Sequence, residues 1–317
     1  MTKFLRLNIG LSGLLAATGA LVCLLTVTAF LGQFWWVFDL TSHFRVQYAA
    51  ALVLWAAGFG LGRKRRGAIV FSGFAALNLA LVLHYCLFGQ AVIPQPRTQL
   101  RALLANVHTA NRRFDLVLQL VRESQPDLIV LEEVNDEWLK NLAALKADYP
   151  HTCQQAREDN FGIALFSKIP LTQSEVVFVG DAEVPTVTAE VKISNKVIKI
   201  LGTHPLPPGN AENTTLRDQQ LMALPTLLKG WSGPVILLGD LNTTPWSPTF
   251  RAVLRETNLL DSGRGLGLQT TWPANLFPLR IAIDHCLLSR DLGVVARKVG
   301  PDIGSDHFPL LIDIAIE

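Results

Sequence analysis

The chain has 317 residues, half of them hydrophobic and only 17% charged, with a formal net charge of +2. That length holds one large catalytic domain and a further segment, and the composition is apolar for a soluble enzyme. The four cysteines, Cys23, Cys86, Cys153 and Cys286, have no metal-type spacing, which excludes a cysteine-bound zinc site.

The apolar excess lies at the N-terminal end. No charged residue occurs from Leu7 to Phe38, from Val46 to Gly62 or from Gly67 to Pro96. A helix needs about 20 apolar residues to cross a bilayer, so three transmembrane helices are predicted at about 8–31, 46–62 and 67–90. Lys3 and Arg6 resemble the basic start of a cleaved leader, but the run after them is too long and two more follow. Lys3, Arg6 and the cluster Arg63-Lys64-Arg65-Arg66 mark the cytoplasmic side, and Trp35-Trp36 suits a headgroup belt. The expectation is a multi-pass protein of the plasma (inner) membrane with a cytoplasmic N-terminus. Residues 1–96 would form the membrane domain. Residues 97–317 would form a periplasmic or extracellular catalytic domain, kept near the bilayer by the stiff Pro94-Gln95-Pro96. Only His84 and Asn78 are polar candidates inside the apolar runs, too few for a transport path.

Residues 1–96 carry seven Lys or Arg against one acid, net +6, and residues 97–317 carry 21 against 25, net −4. The C-terminal part therefore lacks a basic footprint for a polyanion. Cys153 and Cys286 are expected to be small buried thiols, a disulfide between them being the alternative.

From Gln99 onward strand-like and helix-like segments alternate. Strands are predicted at Leu100–Val107, Leu128–Leu131, Phe161–Phe166, Ser174–Val179, Thr186–Ile193, Val197–Thr203 and Val235–Leu238. Helices are predicted at Arg112–Ser124, closed by Pro126, at Trp138–Tyr149, at Thr214–Leu228 and at Ser247–Arg255, capped by Ser247. Hairpins and βα units together suggest mixed sheets with helices outside.

Polar residues end the strands in a fixed order: Asn106, Glu133, His204, Asp240, Asn242, Asp284, Asp306 and His307. The last five fall in Gly239-Asp240-Leu241-Asn242, Ile283-Asp284-His285 and Ser305-Asp306-His307. Acidic and amide oxygens beside histidines are what a hard divalent cation and an attacking water need. Hydrolysis of a phosphate ester is the expected chemistry.

This order resembles the endonuclease/exonuclease/phosphatase superfamily over about Leu100 to Ile316, and its membrane-attached bacterial members most of all. The resemblance implies an α/β fold, a four-layer sandwich with two mixed β-sheets, here preceded by the three transmembrane helices. It also implies a Mg²⁺ site at one edge of the sheets, with Mn²⁺ as an alternative ion. By resemblance, Asn106, Glu133 and Asp306 are the metal residues, and His204, Asp240, Asn242, Asp284 and His307 the catalytic ones. In those roles Asp240 takes the proton of the attacking water or orients it, and Asn242 donates to a phosphoryl oxygen. Asp284 orients His307, a positively charged donor, and His204 serves the leaving oxygen. The family's Gln before the metal Glu is here Glu132. Strand alternation puts Glu132 and Glu133 on opposite faces, so one of them meets the ion, and Glu132 is expected to point to solvent. His285 alternates away from Asp284 and is expected to be structural or surface-bound; His108 and His151 have no partner in sequence and are unassigned. Trp272-Pro273 either walls the pocket or packs in the core.

The implied partners are a phosphate-ester substrate, either nucleic acid or a lipid headgroup, and the lipid bilayer; no protein partner is implied. The rival from another class is a catalytically silent membrane receptor or scaffold on the same fold.

Overall fold

The structure, a computed structural model, describes residues 10–89, 92–93 and 98–316. The start of the first predicted span and the linker Pro94-Gln95-Pro96 lie outside them. The chain divides into two compact units, Met1–His84 and Tyr85–Glu317.

The first unit is helical: α1 (Leu11–Thr28), α2 (Trp36–Ser42), α3 (Arg45–Leu61) and most of α4 (Arg65–Leu87). It corrects the prediction of three separate spans. Among the described residues only α4, 23 residues long, is by itself long and apolar enough to cross a membrane. α2 and α3 meet that test only as a pair bent by 67°, and the apolar part of α1 is shorter. At 1.5 Å per residue a 17-residue helix such as α3 reaches about 26 Å, short of a hydrocarbon core of about 30 Å. Cys23, Tyr48, Leu52, Phe59, Phe71 and Ala75 form the apolar centre of this unit. Beside it is a polar knot that the sequence did not announce. Buried Arg45 donates to the Thr26 carbonyl (3.1 Å) and to Asn78 Oδ1 (3.3 Å), and Asn78 Nδ2 donates to Thr26 Oγ1 (3.0 Å).

In the second unit two six-stranded mixed sheets are stacked. The first has the order β11 (Leu292–Val299), β12 (Leu310–Ile316), β1 (Thr98–Asn106), β2 (Leu128–Glu132), β4 (Ile163–Ser167) and β3 (His151–Gln155). The second runs β5 (Leu171–Phe178), β6 (Pro185–Ile193), β7 (Lys196–Thr203), β8 (Val235–Asp240), β10 (Asp284–Leu288) and β9 (Leu260–Asp261). Period-2 alternation assigns side chains to layers. Along β1, Leu100, Ala102 and Leu104 face the second sheet, where they meet the core that holds Ile236 and Leu238. Leu103 and Ala105 face outward against α5 (Phe114–Ser124) and α6 (Asp136–Asn141). On the far side Leu201, Leu237 and Leu287 pack under α7 (Ala211–Leu227) and α8 (Pro248–Thr257). Helices, sheet, sheet, helices: these are the four layers.

Local chemistry explains most boundaries. α5 ends at Gln125, whose backbone is left-handed (φ 48°) and whose N–H returns to the Val121 carbonyl. Ser247 caps α8 as predicted, its Oγ accepting from Thr249 N. The predicted helix 138–149 is instead α6, capped by Asn135, followed by a 3₁₀ turn at Ala143–Ala147. β3 was not predicted. It is a mostly polar edge strand with only Cys153 buried, so it has no alternation to read. Cys153 and Cys286 are buried free thiols.

Candidate active site

The eight predicted residues converge at one end of the stacked sheets, in two groups. The first surrounds His307. β8 and β10 pair antiparallel with Asp284 opposite Asp240, which sets two carboxylates side by side. The turn before β12 brings His307 onto both. Its Nδ1 is 3.0 Å from Asp284 Oδ2 and its Nε2 is 3.5 Å from Asp240 Oδ2. His204, following β7, places Nε2 3.6 Å from the same Asp240 oxygen, with its ring against Phe161. All four side chains are buried. Ser305 fixes the turn, its Oγ donating to the Asn106 carbonyl (2.8 Å) and accepting from His307 N (3.1 Å).

Electrostatics follow from burial and from this pairing. Burial alone would push His307 down, but the Asp284 and Asp240 carboxylates outweigh it and carry the imidazole up to about 10. Burial opposes ionisation of Asp284 too, yet the charge and hydrogen bond of His307 hold it below the usual carboxylate range. Asp240 goes the other way: burial lifts it, only partly offset by His307. Burial keeps His204 below its ordinary value, so it is a neutral imidazole near pH 7.

The second group lies at the ends of β1 and β2. Asn106 Nδ2 donates to Glu133 Oε1 (3.0 Å), and Thr109 N donates to Glu133 Oε2 (3.2 Å). Asn106 Oδ1 accepts from His108 N (3.0 Å). Asp306 Oδ2 accepts from Trp272 Nε1 (3.1 Å), while its Oδ1 is shielded from solvent without a hydrogen bond. A shielded carboxylate oxygen with no donor, near a second carboxylate, is a donor set that fits a hard divalent cation. Asp240, Asp284 and His307 also have donor atoms within 4.8 Å of one another. Both ring nitrogens of His307 already face carboxylates, however, and that trio is better suited to holding a proton than an ion.

Three participants, Glu132, Arg217 and His108, were missed or misread. Glu132 does not face solvent. It is fully buried between the sheets, and both its carboxyl oxygens accept from Asp240 N (3.1 and 3.0 Å). Burial, with Asp240 and Asp284 nearby, raises it well above the ordinary carboxylate range. Arg217 of α7 is buried and donates to the Asn242 carbonyl (3.1 Å), steadying a residue whose backbone is left-handed at φ 50°. Asn242 N closes onto Asp240 Oδ1 (2.9 Å), and Asn242 Nδ2 donates to the Pro205 carbonyl (2.9 Å). Trp272 lines the site, 6.4 Å ring to ring from His307. His108 reaches into the second group. His285, by contrast, is structural, bonded to the Thr243 carbonyl and stacked on Phe250.

Solved proteins share this fold. Over 68% of this chain and 99% of that one, zebrafish (D. rerio) TDP2, crystallised with a single-strand DNA product, is 16% identical with a TM-score of 0.57. Beta toxin from Staphylococcus aureus with bound magnesium ions is 18% identical over 69% of this chain and 100% of that one, TM-score 0.54. Sphingomyelinase C from Streptomyces griseocarneus is 16% identical over 68% and 99%, TM-score 0.51. In sequence, a UPF0294 protein of Vibrio parahaemolyticus is 34% identical over 101 residues, 31% of this chain; the match spans about a third (33%) of that relative. Fold and site define a metal-dependent hydrolase acting on ester bonds. The Endonuclease/Exonuclease/phosphatase family profile matches residues 103–307, and the chain belongs to that family.

Two outcomes are expected. In chelated protein, nuclear magnetic resonance should find the His307 ring titrating near pH 10, and lower in Asp284→Asn; a ring titrating at or below 6.5 would contradict the bridge. Because the folded value lies above the ordinary 6.5, the stability from charged His307 is fully present below about pH 6.5 and fades as pH rises through about 10. For the clamp on Asp240–Asn242, Arg217→Met should lower kcat by about 10²-fold with KM changed less than about twofold. Glu132→Gln, which keeps an acceptor, should retain turnover that Glu132→Leu loses; equal turnover in those two would refute the clamp.

Proposed function

We propose that the chain is a membrane-anchored, Mg²⁺-dependent phosphoesterase, able to use Mn²⁺, that cleaves phosphodiester or phosphomonoester bonds. The observation that carries this reading is His307 bridging two buried carboxylates beside Glu133 and Asp306. In this reading Asp240 Oδ2, which faces both His204 and His307, accepts the proton of the attacking water. His307, kept charged by Asp284, donates to a phosphoryl oxygen. His204, a neutral imidazole, hydrogen-bonds the leaving oxygen. Asn242 has a second amide proton beyond the one given to Pro205 and directs it to the phosphoryl group. Asn106, Glu133 and Asp306 would hold the ion, which when bound neutralises charge on the phosphoryl oxygens. Asn106 Oδ1 has a lone pair left for this after accepting from His108.

Two substrates suit this chemistry, nucleic acid and a phosphorylated lipid or other small headgroup. The net −4 of residues 97–317 weighs against a long polyanion, and attachment to a bilayer favours a headgroup. The test is purified protein with Mg²⁺ on plasmid DNA, phospholipid vesicles and a chromogenic diester, with chelator and Asp240→Asn as controls. Turnover should vanish with chelator and fall at least about 10³-fold in Asp240→Asn. DNA left intact while lipid is cleaved removes the nuclease reading. Tight ligand binding with no turnover on any substrate favours the silent receptor.

For placement we propose the plasma (inner) membrane, with residues 1–96 as membrane domain and residues 97–317 as the catalytic domain outside. α4 supports this by its length and apolar surface, and Arg63-Lys64-Arg65-Arg66 at its start by the positive-inside rule. Protease added to spheroplasts should digest the region after residue 97; protection until lysis would overturn the topology.

A further inference from the structure

His108 is left without a part in the mechanism above, yet the chain goes to some trouble to place it. It follows β1 by two residues and its backbone is left-handed (φ 58°), as is that of Glu133 across the sheet edge (φ 61°). A non-glycine residue held there is strained, and such strain gathers where a side chain must be aimed. The bond from His108 N to Asn106 Oδ1 and the contact of Thr109 N with Glu133 Oε2 fix the loop around the carboxylate. As a result His108 Nδ1 stands 3.4 Å from Glu133 Oε2 and 3.6 Å from Asp306 Oδ1, the shielded oxygen with no donor.

Those separations are too long for N–H···O hydrogen bonds, which cluster near 2.9 Å. They are close to the spacing of atoms that share a cation. Two ligands each about 2.1 Å from one ion lie roughly 3.0–3.5 Å apart at octahedral or tetrahedral angles. The ring is 38% exposed at its side chain, so water can complete the shell. Two carboxylate oxygens and an imidazole nitrogen form a mixed donor set. Magnesium prefers oxygen and retains its waters, whereas imidazole suits first-row transition ions.

We infer that His108 is a nitrogen ligand of the metal centre, and that the site therefore takes a first-row transition ion such as Mn²⁺ in preference to Mg²⁺. This rests on the metal-dependent reading of the site and changes which ion serves it.

The test uses the full chain in detergent, stripped with chelator and titrated with Mn²⁺, an ion whose electron spin reports on nearby nuclei. Electron spin echo modulation should show a directly coupled nitrogen in the wild type and none in His108→Ala. The same substitution should weaken Mn²⁺ by about tenfold or more, while Mg²⁺, followed by competition, shifts less than about twofold. His108→Gln serves as a second variant should alanine loosen the loop, since it preserves length without an imidazole. Absence of nitrogen coupling in the wild type, its persistence in His108→Ala, or equal weakening of both ions would overturn the assignment. If Mn²⁺ does not bind at all, the metal-dependent reading falls with it; if Mn²⁺ binds through oxygen alone, only the role of His108 falls.

Discussion

A single imidazole shared by two buried carboxylates organises the catalytic unit. Asp240 and Asp284 are direct cross-strand partners on β8 and β10, where like charges repel. Both are withdrawn from water, which by itself disfavours their ionised forms. A cation between them opposes that cost, and His307 is that cation: it outweighs burial at Asp284 and offsets it in part at Asp240. The pairing of β8 with β10 in the second sheet is therefore tied to the turn that leads into β12 of the first. Ser305 anchors that turn to the end of β1, so the charge balance of one sheet is secured by backbone of the other.

The same turn divides the labour of the site. Asp306 and His307 are neighbours in sequence, yet their side chains serve different groups. Asp306 is held by Trp272 and turned toward His108, and His307 lies on Asp240 and Asp284. The two side chains are thus set at a fixed offset by one peptide unit.

Much of this was legible in the chain because strand ends are legible. Asn106 and Asp240 end the buried strands β1 and β8, and buried strands end at a sheet edge; Asp284 instead opens β10 after the apolar Ile281-Ala282-Ile283, and Asp306-His307 lie in the turn between β11 and β12. Glu132 was misread for a physical reason. Alternation correctly sends it to the opposite face from Glu133, but in a four-layer sandwich that face is the core between sheets, not water. His108 and Arg217 were illegible because the first sits in a loop and the second on a helix, and neither position has a periodicity that announces a direction. The membrane segment failed differently. Absence of charge marks apolar runs well, but it does not measure the helix within them: α1 stops at Thr28, and α3, which fills the middle run, has only 17 residues.

Gly239 has no room for a methyl group: a Cβ there would come within 2.0 Å of the Thr203 carbonyl and 3.2 Å of Glu132. That tight seam is where a side chain of the first sheet grips the main chain of the second. Sliding of the two layers past each other by even a fraction of an ångström would be felt first as altered reactivity and only later as loss of structure. Interior substitutions far from any phosphate can therefore silence turnover in a molecule that still melts normally, and selection on the greasy interior of this domain is selection on its chemistry.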